Sequence, residues 1–117
     1  MKGQGKIVVI DDEQIVVELF RRLLAVHSEY EFHAANNGLD GLKKIKEVRP
    51  DLVFLDLSMP DLNGIEVLRK AKESTEIDKD IPIIILTGYG DLDTAIQSVK
   101  LGAYDFMQKP VDDMESL

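Results

Sequence analysis

Three acidic residues follow an apolar run near the N-terminus. The stretch VVIDDEQ places Asp11, Asp12 and Glu13 directly after the run IVVI. Two unit charges about 4 Å apart repel by roughly 4 kcal/mol at an effective dielectric constant of 20, so a buried strand that ends in this way needs a compensating cation. Oxygen ligands without histidine or cysteine favour Mg²⁺, Mn²⁺ or Ca²⁺ over zinc, and few protein ligands completed by water favour Mg²⁺. Without the metal we expect a raised carboxylate pKa.

Further polar residues follow three other apolar or mixed segments. Asp56 follows LVFL, Thr87 follows IIIL, and Lys109 follows AYDFMQ. A single polar residue at a strand end is ordinary, but the carboxyl ends of parallel strands share one edge of a sheet, where neighbouring strands lie about 4.8 Å apart. A hydroxyl and an ammonium beside Mg²⁺ suit the oxygens of a phosphoryl group. Asp56 is then the natural nucleophile, because a carboxylate can form an acyl phosphate.

Strands alternating with helices would position these residues. Apolar runs at 7–10, 52–55 and 83–86 predict strands covered on both faces, whereas the mixed segments 30–35 and 103–108 predict half-exposed edge strands. Apolar residues at helical spacing predict four helices between the strands. These residues are Ile15, Val16, Leu19, Phe20, Leu23 and Leu24; Leu39, Leu42, Ile45 and Val48; Ile65, Leu68 and Ala71; and Leu92, Ala95, Ile96 and Val99. Pro50 is expected to end the second helix, Asp91 to cap the fourth helix and Gly102 to close it.

This alternation predicts an α/β fold with a parallel sheet and right-handed crossovers. The edge character of the second and fifth strands favours the order 2-1-3-4-5, the flavodoxin-like doubly wound (βα)5 arrangement, although the pattern alone permits other orders. We expect a single domain over residues 1–117, with a fifth helix that starts near Asp112 and is cut short at Leu117.

The composition limits the classes of function. The 117 residues carry a net charge of -8, with 44% hydrophobic and 31% charged residues, which is typical of a globular protein with an acidic surface. This charge disfavours direct binding to nucleic acid or to anionic membranes. No apolar run approaches the roughly 20 residues of a membrane span, and the N-terminus lacks the pattern of a signal peptide. We therefore expect a soluble, cytoplasmic protein, and the absence of cysteine is compatible with that compartment.

Four motifs carry a resemblance to a known family. VVIDDE (8–13), LVFLDLSMPDLNG (52–64), IILTGYGD (84–91) and LGAYDFMQKP (101–110) occur in the order and at the spacing of bacterial two-component response-regulator receiver domains, which are CheY-like. The resemblance covers essentially the whole chain. It implies that Asp56 is the phosphoacceptor, that Thr87 is a switch hydroxyl, that Phe106 is a switch aromatic residue and that Lys109 is the site lysine. It also implies a Mg²⁺ site formed by Asp11, Asp12, Asp56 and the main-chain carbonyl of Ser58.

The resemblance also implies a function and partners. A sensor histidine kinase would supply the phosphoryl group, and phosphorylation would remodel the face made by the fourth helix, the fifth strand and the fifth helix. An attached output domain, a partner or a homodimer would read that face, with transcription regulation as the output. The GYGD and GAYDF wording is similar to receivers of sigma-54-dependent activators and of some LuxR-type regulators. Phe106 stands where many relatives have tyrosine, so its ring offers no hydroxyl for a hydrogen bond to solvent or to a partner. The resemblance further implies a cis peptide bond before Pro110.

Other interpretations of the same residues remain open. A Mg²⁺-dependent phosphohydrolase would need a cap or an insertion, for which the chain has no segment of sufficient length. A flavin or nucleotide carrier would need a phosphate loop after the first strand, where DDEQ repels phosphate. A receiver-like module that no longer takes phosphate conflicts with the intact acid set. The leading interpretation is a switch with no enzymatic activity beyond its own phosphorylation and slow dephosphorylation. His27 and His33 are expected to be structural, and Glu13 to favour the start of the first helix by its charge or to act as an outer-sphere metal ligand.

Overall fold

The computed structural model describes residues 5–27, 29–88 and 91–109. Within these ranges the chain alternates strictly between strands and helices, as predicted. The elements are β1 (Gly5–Ile10), α1 (Gln14–Ala25), β2 (Tyr30–Ala35), α2 (Gly38–Val48), β3 (Leu52–Asp56), α3 (Gly64–Glu73), β4 (Ile83–Thr87), α4 (Leu92–Lys100) and β5 (Asp105–Gln108). The predicted bounds of the strands are correct to within two residues.

The strands form one parallel sheet in the order β2-β1-β3-β4-β5. This order confirms the predicted flavodoxin-like doubly wound fold. The side chains of β1, β3 and β4 are mostly buried, whereas those of β2 and β5 are largely half-exposed or exposed. Continuous β-branched runs form the centre of the sheet because both of their faces are covered, and mixed segments form its edges.

The two faces of the sheet carry separate apolar cores. One core joins alternate sheet residues to α2, α3 and α4, and the other joins the intervening residues to α1. The first includes Val8, Ile10, Val53, Leu55, Ile83, Ile85, Leu42, Ile45, Val67, Leu68, Ala71 and Ala95. The second includes Ile7, Val9, Phe54, Leu86, Val16 and Phe20. Burial on both faces fixes the register of each strand, since a slip of one residue would exchange the two cores.

Some residues of the predicted helical stripes are not buried. In α1 the stripe is centred on Val16 and Phe20, and Ile15, about 100° from Val16 around the helix axis, is 67% exposed. Leu39 at the start of α2 is 57% exposed. In α4 only Ala95 of the predicted stripe is buried; Leu92, Ile96 and Val99 lie on the surface. Periodicity identifies a helix correctly but does not show how much of its apolar stripe the sheet can cover.

Two expectations lie outside the described residues: the fifth helix near Asp112 and the geometry of the bond before Pro110. The end of α4 agrees with its prediction, since Gly102 follows the helix with φ of 116° in the left-handed region. Asp91 occupies the N-cap position of α4 but its side chain makes no capping hydrogen bond. Among the helices of the described ranges, none is long and apolar enough to cross a bilayer.

Candidate functional site

The candidate site lies at the carboxyl edge of the sheet, where Asp11 follows β1, Asp56 ends β3 and Lys109 follows β5. Backbone hydrogen bonds extend the ladders past the strand ends and fix these positions. The Asp11 N–H donates to the Ala35 carbonyl at 3.1 Å, and the Lys109 N–H donates to the Thr87 carbonyl at 2.7 Å. The three side chains are therefore placed by the sheet itself.

The ammonium of Lys109 contacts three carboxylates. Its Nζ lies 2.5 Å from Glu13 Oε1, 3.0 Å from Asp11 Oδ2 and 3.2 Å from Asp56 Oδ1. The side chains of Asp11 and Asp56 are buried, that of Lys109 is 15% exposed, and that of Glu13 is 54% exposed. A cation within the chain, the lysine expected at this edge of the sheet, thus offsets part of the acidic charge.

Burial dominates the electrostatics of the two inner carboxyl groups. Desolvation, which has the larger effect, and the charge of Asp11 together raise the pKa of Asp56 to about 7, against the opposing effect of Lys109. Desolvation also raises the pKa of Asp11, while the backbone N–H of Glu13 and the charge of Lys109 lower it. Burial lowers the pKa of Lys109, but contact with Glu13 and Asp11 outweighs burial and the net shift is upward. Lys109 is therefore charged at neutral pH.

The arrangement of oxygen atoms fits a hard divalent cation. One carboxylate oxygen from each of Asp11, Asp12 and Asp56 lies within 4.8 Å of the other two. Asp11 Oδ2 is buried and accepts no hydrogen bond; its contact with Lys109 is an ion pair without hydrogen-bond geometry. A buried carboxylate oxygen without a donor is a candidate ligand, and a site of oxygen donors alone suits Mg²⁺.

The remaining predicted residues differ in their relation to this cluster. Ser58 lines the cleft above it, and the Ser58 N–H donates to Asp56 Oδ1 at 3.4 Å. Thr87 is buried, and its hydroxyl donates to the Gly88 carbonyl at 3.4 Å. Thr87 is not among the described residues that line the cleft. Phe106 is half-buried and packs on the α2–α4 side of the sheet.

The loop after β3 is held by close packing and by caps. Gly64 lies so near the strand end that a Cβ there would be 2.5 Å from the Asp56 carbonyl oxygen and 2.8 Å from Leu57 Cα. The side chain of Asn63 caps α3 by accepting from the Glu66 N–H at 2.9 Å. Asp61 accepts from the N–H groups of Gly38 and Leu39 at the start of α2, and the Gly38 bond, the larger influence, lowers the Asp61 pKa.

The sequence alone did not identify the contact of Glu13 with Lys109, or the contributions of Asp91 and Asp61 to this region. Glu13 is at the N-cap of α1 without a side-chain capping bond, and its carboxylate binds Lys109. Asp91 lines the same cleft as Asp12, Glu13 and Asp56. Asp61 joins the loop after β3 to α2. An acid directly after an acid pair was the available signal for Glu13, but the contact spans 96 positions and depends on the sheet order.

Comparisons with known proteins point to one family. The family model described as "Response regulator receiver domain" matches residues 7–117. The regulatory protein AtoC of Escherichia coli is 33% identical over 112 residues, which are 96% of this chain and 23% of AtoC. The chain therefore spans about a quarter of the length of that relative.

A relative of similar size and a solved structure also match. Sporulation initiation phosphotransferase F of Bacillus subtilis is 39% identical over 107 residues, 92% of this chain and 83% of the relative. The crystal structure of a response regulator receiver domain protein from Clostridium thermocellum superimposes with a TM-score of 0.82 at 36% identity, covering 96% of this chain and 89% of the other.

Proposed function

The chain belongs to the response regulator receiver domain family of two-component systems, and from that premise we propose that Asp56 accepts a phosphoryl group from a sensor histidine kinase. We also propose that residues 1–117 form one such domain in the cytoplasm, attached to or paired with an output that regulates transcription. The observation that carries the proposal is the position of Asp56, buried at the end of the central strand and 3.2 Å from Lys109 Nζ.

The transfer would proceed by attack of an Asp56 carboxylate oxygen on phosphorus. The bond between phosphorus and the kinase imidazole breaks as the new bond to oxygen forms, and its electron pair returns to the imidazole nitrogen. Lys109 would place its positive charge beside the phosphoryl oxygens. Asp11, Asp12 and Asp56 would hold Mg²⁺ with the main-chain carbonyl of Ser58, and the metal when bound would neutralise charge on the transferred group.

Phosphorylation of Asp56 would change the positions of Thr87 and Phe106. We propose that the Thr87 hydroxyl leaves the Gly88 carbonyl, to which its 3.4 Å contact is long, and donates to a phosphoryl oxygen. Phe106 then turns inward from its half-buried position. A local charge change would in this way alter a packing element with two arrangements.

The surface near Phe106 is suited to a partner. Exposed apolar side chains lie along α4 and in the turn before β5. They are Leu92, Ile96, Val99, Leu101 and Tyr104, which are 40% to 72% exposed. We propose that an attached output domain or a second copy of the chain binds this α4–β5 face after phosphorylation.

Acetyl phosphate with Mg²⁺ tests the proposal directly. We expect the wild type to gain one phosphoryl mass and to show NMR shifts at α4 and β5, and Asp56→Asn, which preserves the shape of the side chain, to show neither. Thr87→Ala should gain the mass but show smaller shifts at α4 and β5. Equal responses of wild type and Asp56→Asn would refute the assignment of Asp56.

A further inference from the structure

Among the acids that the structure describes, Glu13 is the closest to the Lys109 ammonium. The separation of Glu13 Oε1 and Lys109 Nζ is 2.5 Å, shorter than the contacts with Asp11 and Asp56. Glu13 is also the exposed member of the three, so it can move without disturbing the core, whereas Asp11 and Asp56 are fixed by burial. The shortest contact of Lys109 is therefore made by its most exposed partner.

The same carboxylate lines the cleft that contains Asp56. Asp12, Glu13 and Asp91 line this cleft together with Ser58, Gly88 and Lys109. A small phosphodonor is an anion, and the charge of each of these three acids opposes its approach. When the phosphoryl group arrives, its oxygens also compete with Glu13 for the Lys109 ammonium.

We propose that Glu13 is a positioning residue that competes with the incoming phosphoryl group for the Lys109 ammonium and, by its charge, disfavours small anionic phosphodonors. This inference rests on the proposed function and adds donor selectivity to it. A donor delivered on a protein surface can displace the exposed Glu13 side chain by contact, whereas a free dianion meets its charge. Both effects of Glu13, its contact with Lys109 and its repulsion of the donor, slow the phosphorylation of Asp56 by a small anionic donor.

Glu13→Gln tests the proposal because it keeps the length of the side chain and removes the charge. In saturating Mg²⁺ at low ionic strength, we expect acetyl phosphate to modify Asp56 about three- to tenfold faster in Glu13→Gln than in wild type. In that step phosphorus bonds to an Asp56 oxygen and acetate leaves with the electron pair of the broken bond. The gain should shrink at 0.5 M salt, where the screening length falls to about 4 Å.

The charge of the donor gives a second, sharper comparison. Phosphoramidate carries about one negative charge fewer than acetyl phosphate at neutral pH, so its gain from Glu13→Gln should be smaller than the gain with acetyl phosphate. Glu73→Gln is the matched control, because Glu73 is an exposed acid at the far end of α3, about 13.5 Å along the helix from Gly64. It should react at the wild-type rate.

NMR of the Lys109 ammonium reports on the contact without any reaction. In the metal-free protein, three carboxylates should slow hydrogen exchange of the ammonium, and Glu13→Gln should accelerate it. Equal or slower phosphorylation of Glu13→Gln, or an unchanged exchange rate, would overturn the role of Glu13 while the phosphoacceptor assignment stands. A wild type that acetyl phosphate does not modify would instead overturn the proposed function and this inference with it.

Discussion

Asp56 is surrounded by opposing electrostatic influences. Burial and the neighbouring Asp11 disfavour its charge, and Lys109 favours it, with a net pKa of about 7. A nucleophilic carboxylate must be ionised. Because the pKa of Asp56 lies close to neutral pH, a modest added positive charge would lower it enough to ionise the group completely. Mg²⁺ bound by the same oxygens would provide that charge.

Asp56→Asn should stabilise the metal-free protein above neutral pH. The unfolded chain loses the Asp56 proton near its ordinary pKa of 3.8, whereas the folded chain keeps it up to about 7. Wild-type stability should therefore fall as pH rises between these values, and the variant, which has no proton to lose, should lack that part of the fall. We expect an advantage of about 2–4 kcal/mol at pH 8.

Urea denaturation in excess EDTA at pH 5, 6, 7 and 8 measures this effect. The difference between variant and wild type is the informative quantity, because Asp11 also has a raised pKa and adds its own pH dependence to both proteins. A difference that stays constant over this range would show that Asp56 is not shifted.

The loop between β3 and α3 follows directly after Asp56 and positions the helices beside the cleft. It returns tightly enough for the Gly64 N–H to donate to the Leu57 carbonyl at 2.8 Å. Asp61 in the same loop binds the first turn of α2, so one connection fixes two helices beside the site. The absence of a side chain at Gly64 permits this close return.

Gly64→Ala should destabilise the protein by about 1–3 kcal/mol or more, because its Cβ would meet backbone atoms that cannot move independently. Gly88→Ala is the matched control. A Cβ at Gly88 has its nearest neighbour at 4.0 Å, and the loss of unfolded-state entropy should leave stability equal or raise it by about 0.4–1 kcal/mol. Equal stability of the two variants in urea denaturation would contradict the close approach at Gly64.

Across the whole molecule, acidic charge is in excess, with a net charge of -8. Any salt therefore reduces the general repulsion and is expected to raise the melting temperature somewhat. A specific metal site adds stabilisation that depends on the ion and on its ligands, since only the folded chain brings Asp11, Asp12 and Asp56 together.

Mg²⁺ at about ten times its dissociation constant should raise the melting temperature by about 3–8 °C over NaCl of equal ionic strength. Asp12→Ala should lose most of this difference, while Glu73→Gln, which changes the net charge equally, should keep it. Thermal melts in both salts measure the effect. Identical melts of the wild type in the two salts would count against a metal site.

The amino-acid sequence by itself determined the class of fold and the bounds of the strands. β-Branched runs covered on both faces and helical periodicity between them indicated a parallel sheet, and the edge character of two strands favoured the observed order among those that the pattern permits. The positions of Asp11, Asp56 and Lys109 at strand ends followed from the strand bounds. Local patterns are sufficient for the strand bounds because the burial of successive residues along a strand is reflected directly in their types.

Only the tertiary structure decided which groups touch. In the structure Glu13 binds the Lys109 ammonium, and the Thr87 hydroxyl donates to the Gly88 carbonyl. Ile15 and Leu39 are exposed. These outcomes depend on side-chain reach across strands distant in sequence and on how far the sheet extends beneath each helix. Such distances are properties of the packed molecule, and no local pattern of residue types contains them.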